Sequence, residues 1–133
     1  MSTDRELLEL AAKAAGYKFD STEPFEICVP HKGGNNYVEW NPLTDDGDAL
    51  RLAVKLGISL ESAAMIEIGR FTFKGHTEGE YEQGVEAWQV LANPVRSIKE
   101  QELYKNDPYA ATRRAIVRAA AAIGEQLNEE VKE

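Results

Sequence analysis

The apolar positions of this chain change period several times, and each change marks an element. Leu7, Leu10, Ala11 and Ala14 recur at intervals of three or four, the spacing that lines up one stripe of a helix. Thr3 and Glu6 stand in the T-x-x-E relation, in which the hydroxyl accepts from the amide three residues on and the glutamate reaches back. Gly16 supplies the residue that closes such a helix in the left-handed region. These features predict an amphipathic helix over 4–15. From Phe25 the period falls to two. Phe25, Ile27 and Val29 alternate with Glu26 and Cys28, and Tyr37, Val38 and Trp40 form the return strand. Between them PHKGGNN is rich in turn residues, so the pattern predicts a β-hairpin. Asn41-Pro42 ends it, because proline cannot donate to a continuing ladder.

A second helix is predicted over 45–57, with Thr44 as its N-cap. Projected at about 100° per residue, Ala49, Leu50, Leu52, Ala53, Val54 and Leu56 cover more than half the wheel. Only Asp48, Arg51 and Lys55 share a polar edge, an arc so wide that it predicts a largely buried helix. Alternation returns over 63–74, with a bend at Gly69, and again over 85–91, where both faces carry apolar residues. The GHTEGEYEQG stretch between them is polar and glycine-rich and reads as a loop. RSIKEQELYKN, 96–106, has no clear period and reads as a short helix or a loop. Asp107 then caps a final helix with Pro108 at its first position. Its apolar stripe holds Tyr109, Ile116, Ala120, Ile123 and Leu127. The acidic end, 128–133, is expected to fray. The order α-β-β-α-β-β-α predicts an α+β fold with a mainly antiparallel four-stranded sheet and helices packed on it.

At 133 residues the chain reads as one domain, long enough to bury a core without a metal or disulfide. Cys28 is the single cysteine, so no internal disulfide is available; in a strand it reads as a small apolar residue. The acidic residues number 23 against 15 basic ones, for a net charge of −8. That balance argues against nucleic acid and anionic membrane surfaces as partners and favours solubility. The N-terminal MSTDRELLEL carries Asp4 and no unbroken apolar run, unlike a signal peptide. Nor does any stretch approach the roughly 20 apolar residues of a membrane helix. A cytoplasmic location is expected.

Candidate chemistry is sparse. The cluster Asp45, Asp46 and Asp48 has the hard oxygen donors a divalent cation prefers. The twelfth position of a calcium loop, however, would fall on Leu56 or Gly57 instead of glutamate. Acids at a helix start also favour its positive dipole end, and that reading is preferred. Cys28, His31 and His76 lack the paired spacing of a metal site, and no nucleotide or nucleophile fingerprint occurs. No metal, cofactor or catalytic residue is assigned. Arg113, Arg114 and Arg118 form a small basic group. Arg113 falls beside the apolar stripe, where it needs a partner, with Asp45 or Asp48 the candidates; Arg114 and Arg118 project away as a strip that could meet an anion. Tyr37, Trp40, Phe71, Phe73 and Trp88 lie on predicted strands, and most are expected in the core; Trp40 or Trp88 would form an apolar patch if a sheet face is left uncovered.

The stretches WNPLTDDGDALRLAVKL (40–56), NDPYAATRRAIVRAAAAIGE (106–125) and ELLELAAKAAG (6–16) resemble segments of small phage and prophage proteins of the phage ABA sandwich domain family. The resemblance covers the three helices and the second strand, roughly half the chain; residues 58–106 take no part in it. It implies an α/β/α sandwich of bacteriophage or prophage origin and no activity. Asn41, Pro42, Thr44, Asp45, Asp46, Asp48, Asp107 and Pro108 are then structural motif residues. The expected function is a non-enzymatic binding module for a host or phage macromolecule. Its candidate contacts are Arg113, Arg114, Arg118, Trp40 and His76. The alternative is a binder or hydrolase of a small phosphorylated metabolite, using Arg113 or Arg114 with His76 and the 31–36 loop. DNA mimicry is the weakest option, because the acids form no long run. Homo-oligomerisation is not predicted.

Overall fold

The computed structural model describes residues 3–18, 27–30, 37–89 and 97–131. Helix α1 spans Asp4–Ala14, strands β1 and β2 span Ile27–Pro30 and Tyr37–Trp40, and helix α2 spans Asp46–Leu56. Strands β3, β4 and β5 then cover Ser59–Phe73, His76–Gln89 and Ile98–Leu103, before the long helix α3, Pro108–Val131. This is an α+β fold in which three helices pack against antiparallel sheet, consistent with an α/β/α sandwich. The strands number five among the described residues, not four. They divide into a two-stranded sheet, β1-β2, and a three-stranded one, β3-β4-β5.

The helix ends follow their sequence signals. The Thr3 hydroxyl accepts from the Glu6 amide at 3.1 Å, and Gly16, at φ +75°, turns the chain so that the Tyr17 amide reaches the Ala12 carbonyl at 2.9 Å. Asp107 accepts from the Ala110 amide at 3.0 Å, one residue before Pro108 opens α3. At α2 the cap is Asp45, not Thr44: the Asp45 carboxylate accepts from the Asp48 amide at 2.8 Å. Thr44 is instead drawn into the Asn41-Pro42 turn, where its hydroxyl donates to the Asn41 carbonyl. Helix α3 extends through Val131, into the acidic stretch 128–133.

Two segments that read as irregular are strands. Within the 75–84 stretch, His76–Gly84 is the first part of β4, joined to β3 by the two-residue turn Lys74-Gly75. Both turn residues have positive φ, 51° and 80°, which matches the twist of paired strands as a type I′ turn does. The 96–106 stretch contains β5, paired to β4 from Gly84↔Leu103 to Gln89↔Ile98. Strand β3 begins at Ser59, earlier than its alternation suggests. The bend expected at Gly69 is there as a register shift between Glu67 and Gly69; a second lies between Glu61 and Ala64. At the latter, Ala63 takes φ 55° and its amide leaves the ladder to donate to the Tyr104 hydroxyl at 2.6 Å.

The core gathers around α3. Ala115, Val117, Ala119 and Ala120 are fully buried, facing Leu8, Ala11 and Ala12 of α1, Leu52 of α2, and Val85 and Ala87 of β4. Each fully buried Leu or Val side chain stabilises the fold by about 1.5–3 kcal/mol. The many alanines let the helices lie close. Expectations of burial fail in three places: Leu50 and Val54 of α2 are 62% and 74% exposed, Tyr109 of α3 is 71% exposed, and Phe71 and Phe73 of β3 are 46% and 67% exposed. The α2 arc is wider than the surface α3 offers, so only Ala49, Leu52 and Ala53 are covered.

Gly124 marks the closest approach of α1 to α3. A methyl group there would lie 2.2 Å from the Leu10 carbonyl oxygen. In an exposed helix, Gly→Ala stabilises by about 1 kcal/mol through propensity. Here overpacking reverses the sign, and Gly124→Ala is expected to destabilise by about 1–3 kcal/mol in urea unfolding. A more stable variant would show that α1 does not press on this point.

Candidate binding surface

The acidic TDDGD stretch is a structural hub. Asp45 caps α2. Asp48 accepts from the Asn41 amide at 3.0 Å through one oxygen and from Arg51 at 2.7 Å through the other. The hydrogen bond that Arg51 donates to Asp48 is the main reason its guanidinium titrates above its ordinary value. Asp46 pairs with Arg113 at 2.6 Å. The three carboxylates are therefore engaged by protein groups: Asp45 and Asp48 share Arg51, at 3.9 and 2.7 Å, and Asp46 turns to Arg113. Asn41 adds a turn of its own, its side-chain oxygen accepting from the Leu43 amide at 3.0 Å, and Pro42 is fully buried beside it.

The arginines are engaged as well. Arg113 finds Asp46 instead of Asp45 or Asp48, and its Nε donates to the Leu43 carbonyl at 2.8 Å. It thereby ties α3 to the turn that precedes α2. Arg114 and Arg118 do not present an open basic strip. Arg114 contacts Asp4 of α1 at 3.1 Å and Glu102 of β5 at 3.3 Å. Arg118 contacts Glu100 at 2.8 Å and Glu102 at 3.2 Å, and donates to the Gln101 carbonyl at 3.0 Å. These groups line a cavity of about 410 Å³ with Leu7 and Glu125. An anion entering it would have to displace a carboxylate from each guanidinium.

Trp40 is also accounted for by structure. It is buried, and its ring meets Tyr17 edge-on with centroids 5.5 Å apart. His76 is exposed at the start of β4, beside the turn, and not in a loop. The sequence candidates are thus not brought together. Arg113, Arg114 and Arg118 work inside the fold, Trp40 is core, and His76 stands apart on β4. His31 and the 31–36 loop lie outside the described residues.

The surface that stands out is one the pattern of apolar residues did not reveal. Strand β5 pairs only with Gly84–Gln89 of β4. Among the described residues the rest of β4, His76–Gln83, forms a strand ladder with β3 alone, giving a two-stranded ribbon roughly 27 Å long. Along it Met65, Ile68, Phe71, Phe73 and Tyr81 are all exposed, Phe73 by 67%. An isolated pair of strands is marginally stable in water, and exposed aromatics at this density are more than a monomer's scatter of apolar residues. A second apolar concavity, about 430 Å³, lies between α2 and the start of α3, lined by Leu50, Leu60, Tyr104, Tyr109 and Ile116. The signal for the ribbon was present in the F-T-F and E-x-E-x-E alternations flanking Lys74-Gly75. It was masked because the second strand alternates charge, not apolarity.

No family model, curated protein or solved structure matches this chain. Among the described residues no helix is long and apolar enough to cross a membrane.

If Arg113 serves the fold, Arg113→Ala strands the Leu43 carbonyl and frees Asp46. Charged hydrogen bonds of this kind, partly exposed, put the expected loss at about 1–2 kcal/mol in chemical unfolding. Unchanged stability would remove Arg113 from its structural role.

Proposed function

We propose that this chain is a non-enzymatic binding module of bacteriophage or prophage origin, acting in the host cytoplasm by engaging a host or phage protein. The observation that carries the binding role is the ribbon of β3 and β4, exposed on both faces and rich in aromatic and aliphatic side chains. Burying such residues is the largest single source of affinity in a protein contact, and a few aromatics usually dominate it. Among the described residues the ribbon has no comparable task within the fold, because the core lies around α3 and the near half of the sheet. The phage origin rests on the resemblance read from the sequence at 6–16, 40–56 and 106–125 alone, since no family model matches the chain. The engagement of all three arginines by carboxylates leaves the phosphorylated-metabolite reading without an observation in its favour.

The test compares the tagged full chain with a Phe71→Ser/Phe73→Ser variant in crosslinking and affinity capture from host cells, with small molecules extracted from the same eluates. The wild type is expected to retain a specific protein that the variant loses. Because both residues are exposed, the melting temperature should move by less than about 3 °C. Identical capture by both chains would contradict the reading, as would recovery of a phosphorylated metabolite and no protein.

A further inference from the structure

The two faces of the ribbon differ in kind. On one, Arg70 is held by Glu67, the Thr72 and Thr77 hydroxyls meet at 3.1 Å, and the Tyr81 ring lies over Gly79. The polar groups of that face satisfy one another. The opposite face follows from the register: Phe73 stands across from His76, Phe71 from Glu78, Gly69 from Glu80 and Ile66 from Glu82. Strand β4 carries no bulge over this length, so Glu78, Glu80 and Glu82 form a straight row on the side away from α3. Val85 and Ala87 occupy the other side. All three glutamates are exposed and form no ion pair among the described residues. Phe71 and Phe73 run beside them on β3. The Lys74 ammonium, 5.5 Å from the Phe73 ring centroid, marks the turn end of the row.

From this arrangement we infer that the Phe71–Phe73 face of the ribbon docks a basic amphipathic segment of a partner protein, with lysines or arginines in one row and apolar residues in the next. The inference rests on the reading of the ribbon as a docking surface and adds the chemistry of what it takes. Alternate residues of a strand are about 6.7 Å apart and neighbouring strands about 4.8 Å. An amphipathic helix with basic residues at i, i+4 and i+8 spaces them by about 6 Å, close to the glutamate row, and sets its apolar row alongside. Charge excludes the other occupants. Nucleic acid and anionic lipid carry the same sign as the row. A second copy would bring two such rows together, and like charges at an interface select against it.

The direct test is fluorescence anisotropy of the full chain with a labelled synthetic helical peptide. The peptide carries lysine at i, i+4 and i+8 beside leucine, and its counterpart has glutamate for lysine. The lysine peptide is expected to bind, more weakly at higher salt. Replacing the row in Glu78→Gln/Glu80→Gln/Glu82→Gln should weaken it on the order of ten-fold, the sum of three exposed pairs. A control with the same change in charge, Glu6→Gln/Glu39→Gln/Glu125→Gln, should stay within about two-fold. Equal weakening by both triples, preference for the glutamate peptide, or no binding by the wild type would overturn the inference. The captured protein separates the two readings. Release by Phe71→Ser/Phe73→Ser with retention by the glutamine triple leaves the ribbon as the docking surface and rejects the charge assignment. Retention by both variants rejects the ribbon itself.

Discussion

The ionic seam between β5 and α3 organises the rest of the structure. Glu100 and Glu102 face the helix from the same side of the sheet as Val85 and Ala87, positions that a sheet usually gives to apolar residues. Arg114 and Arg118 reach across to meet them, and Arg118 also takes the Gln101 carbonyl of the strand backbone. Each such half-exposed pair contributes only about 0–1 kcal/mol. Their greater effect is on position: a carboxylate left facing α3 without its arginine is costly, so the strand is favoured in one register. Arg114 extends the seam to Asp4 of α1, and Arg113 makes the equivalent tie to α2 through Asp46. The three arginines thus join one helix to every other layer it touches.

The seam also defines where the fold stops. Strand β5 is six residues long and ends at Leu103, opposite Gly84. Beyond that point β4 has only β3 beside it among the described residues; no position of His76–Gln83 on β4 is buried, and on β3 Ile66 is the last buried one. The body of the protein uses its charges internally, whereas the ribbon leaves three glutamates and two phenylalanines on one face with no internal partner among the described residues. This division is the physical basis for placing the binding role on the ribbon.

Much of the fold was legible because the relevant signals are local. The Thr3-Glu6 and Asp107-Pro108 starts and the Gly16 stop depend on backbone groups a few residues away, so three- to four-residue spacing suffices to read them. What escaped depends on partners distant in sequence. Strand β5 hid because two of its three inward positions, Glu100 and Glu102 beside the buried Ile98, are glutamates, made acceptable only by arginines 12 to 18 residues later. The first half of β4 hid because it alternates charge with glycine and tyrosine. The α2 helix was over-read as buried because its apolar arc says nothing of how much surface α3 can cover; Leu50 and Val54 fall outside it. The site was less legible than the fold. Arginine and tryptophan drew attention as residue types, yet the structure spends them on cohesion.

The account predicts two levels of protection within one continuous strand, and amide hydrogen exchange of the free chain measures this directly. Amides of Gly84–Gln89 and Ile98–Leu103, held by three-stranded pairing and the seam, should exchange near the rate of global unfolding. Ladder amides between Ile66 and Gln83 should exchange through local opening at much lower free energy. Equal protection along the whole of β4 would contradict the account, because it would mean that the ribbon is already covered or fully stabilised without a partner.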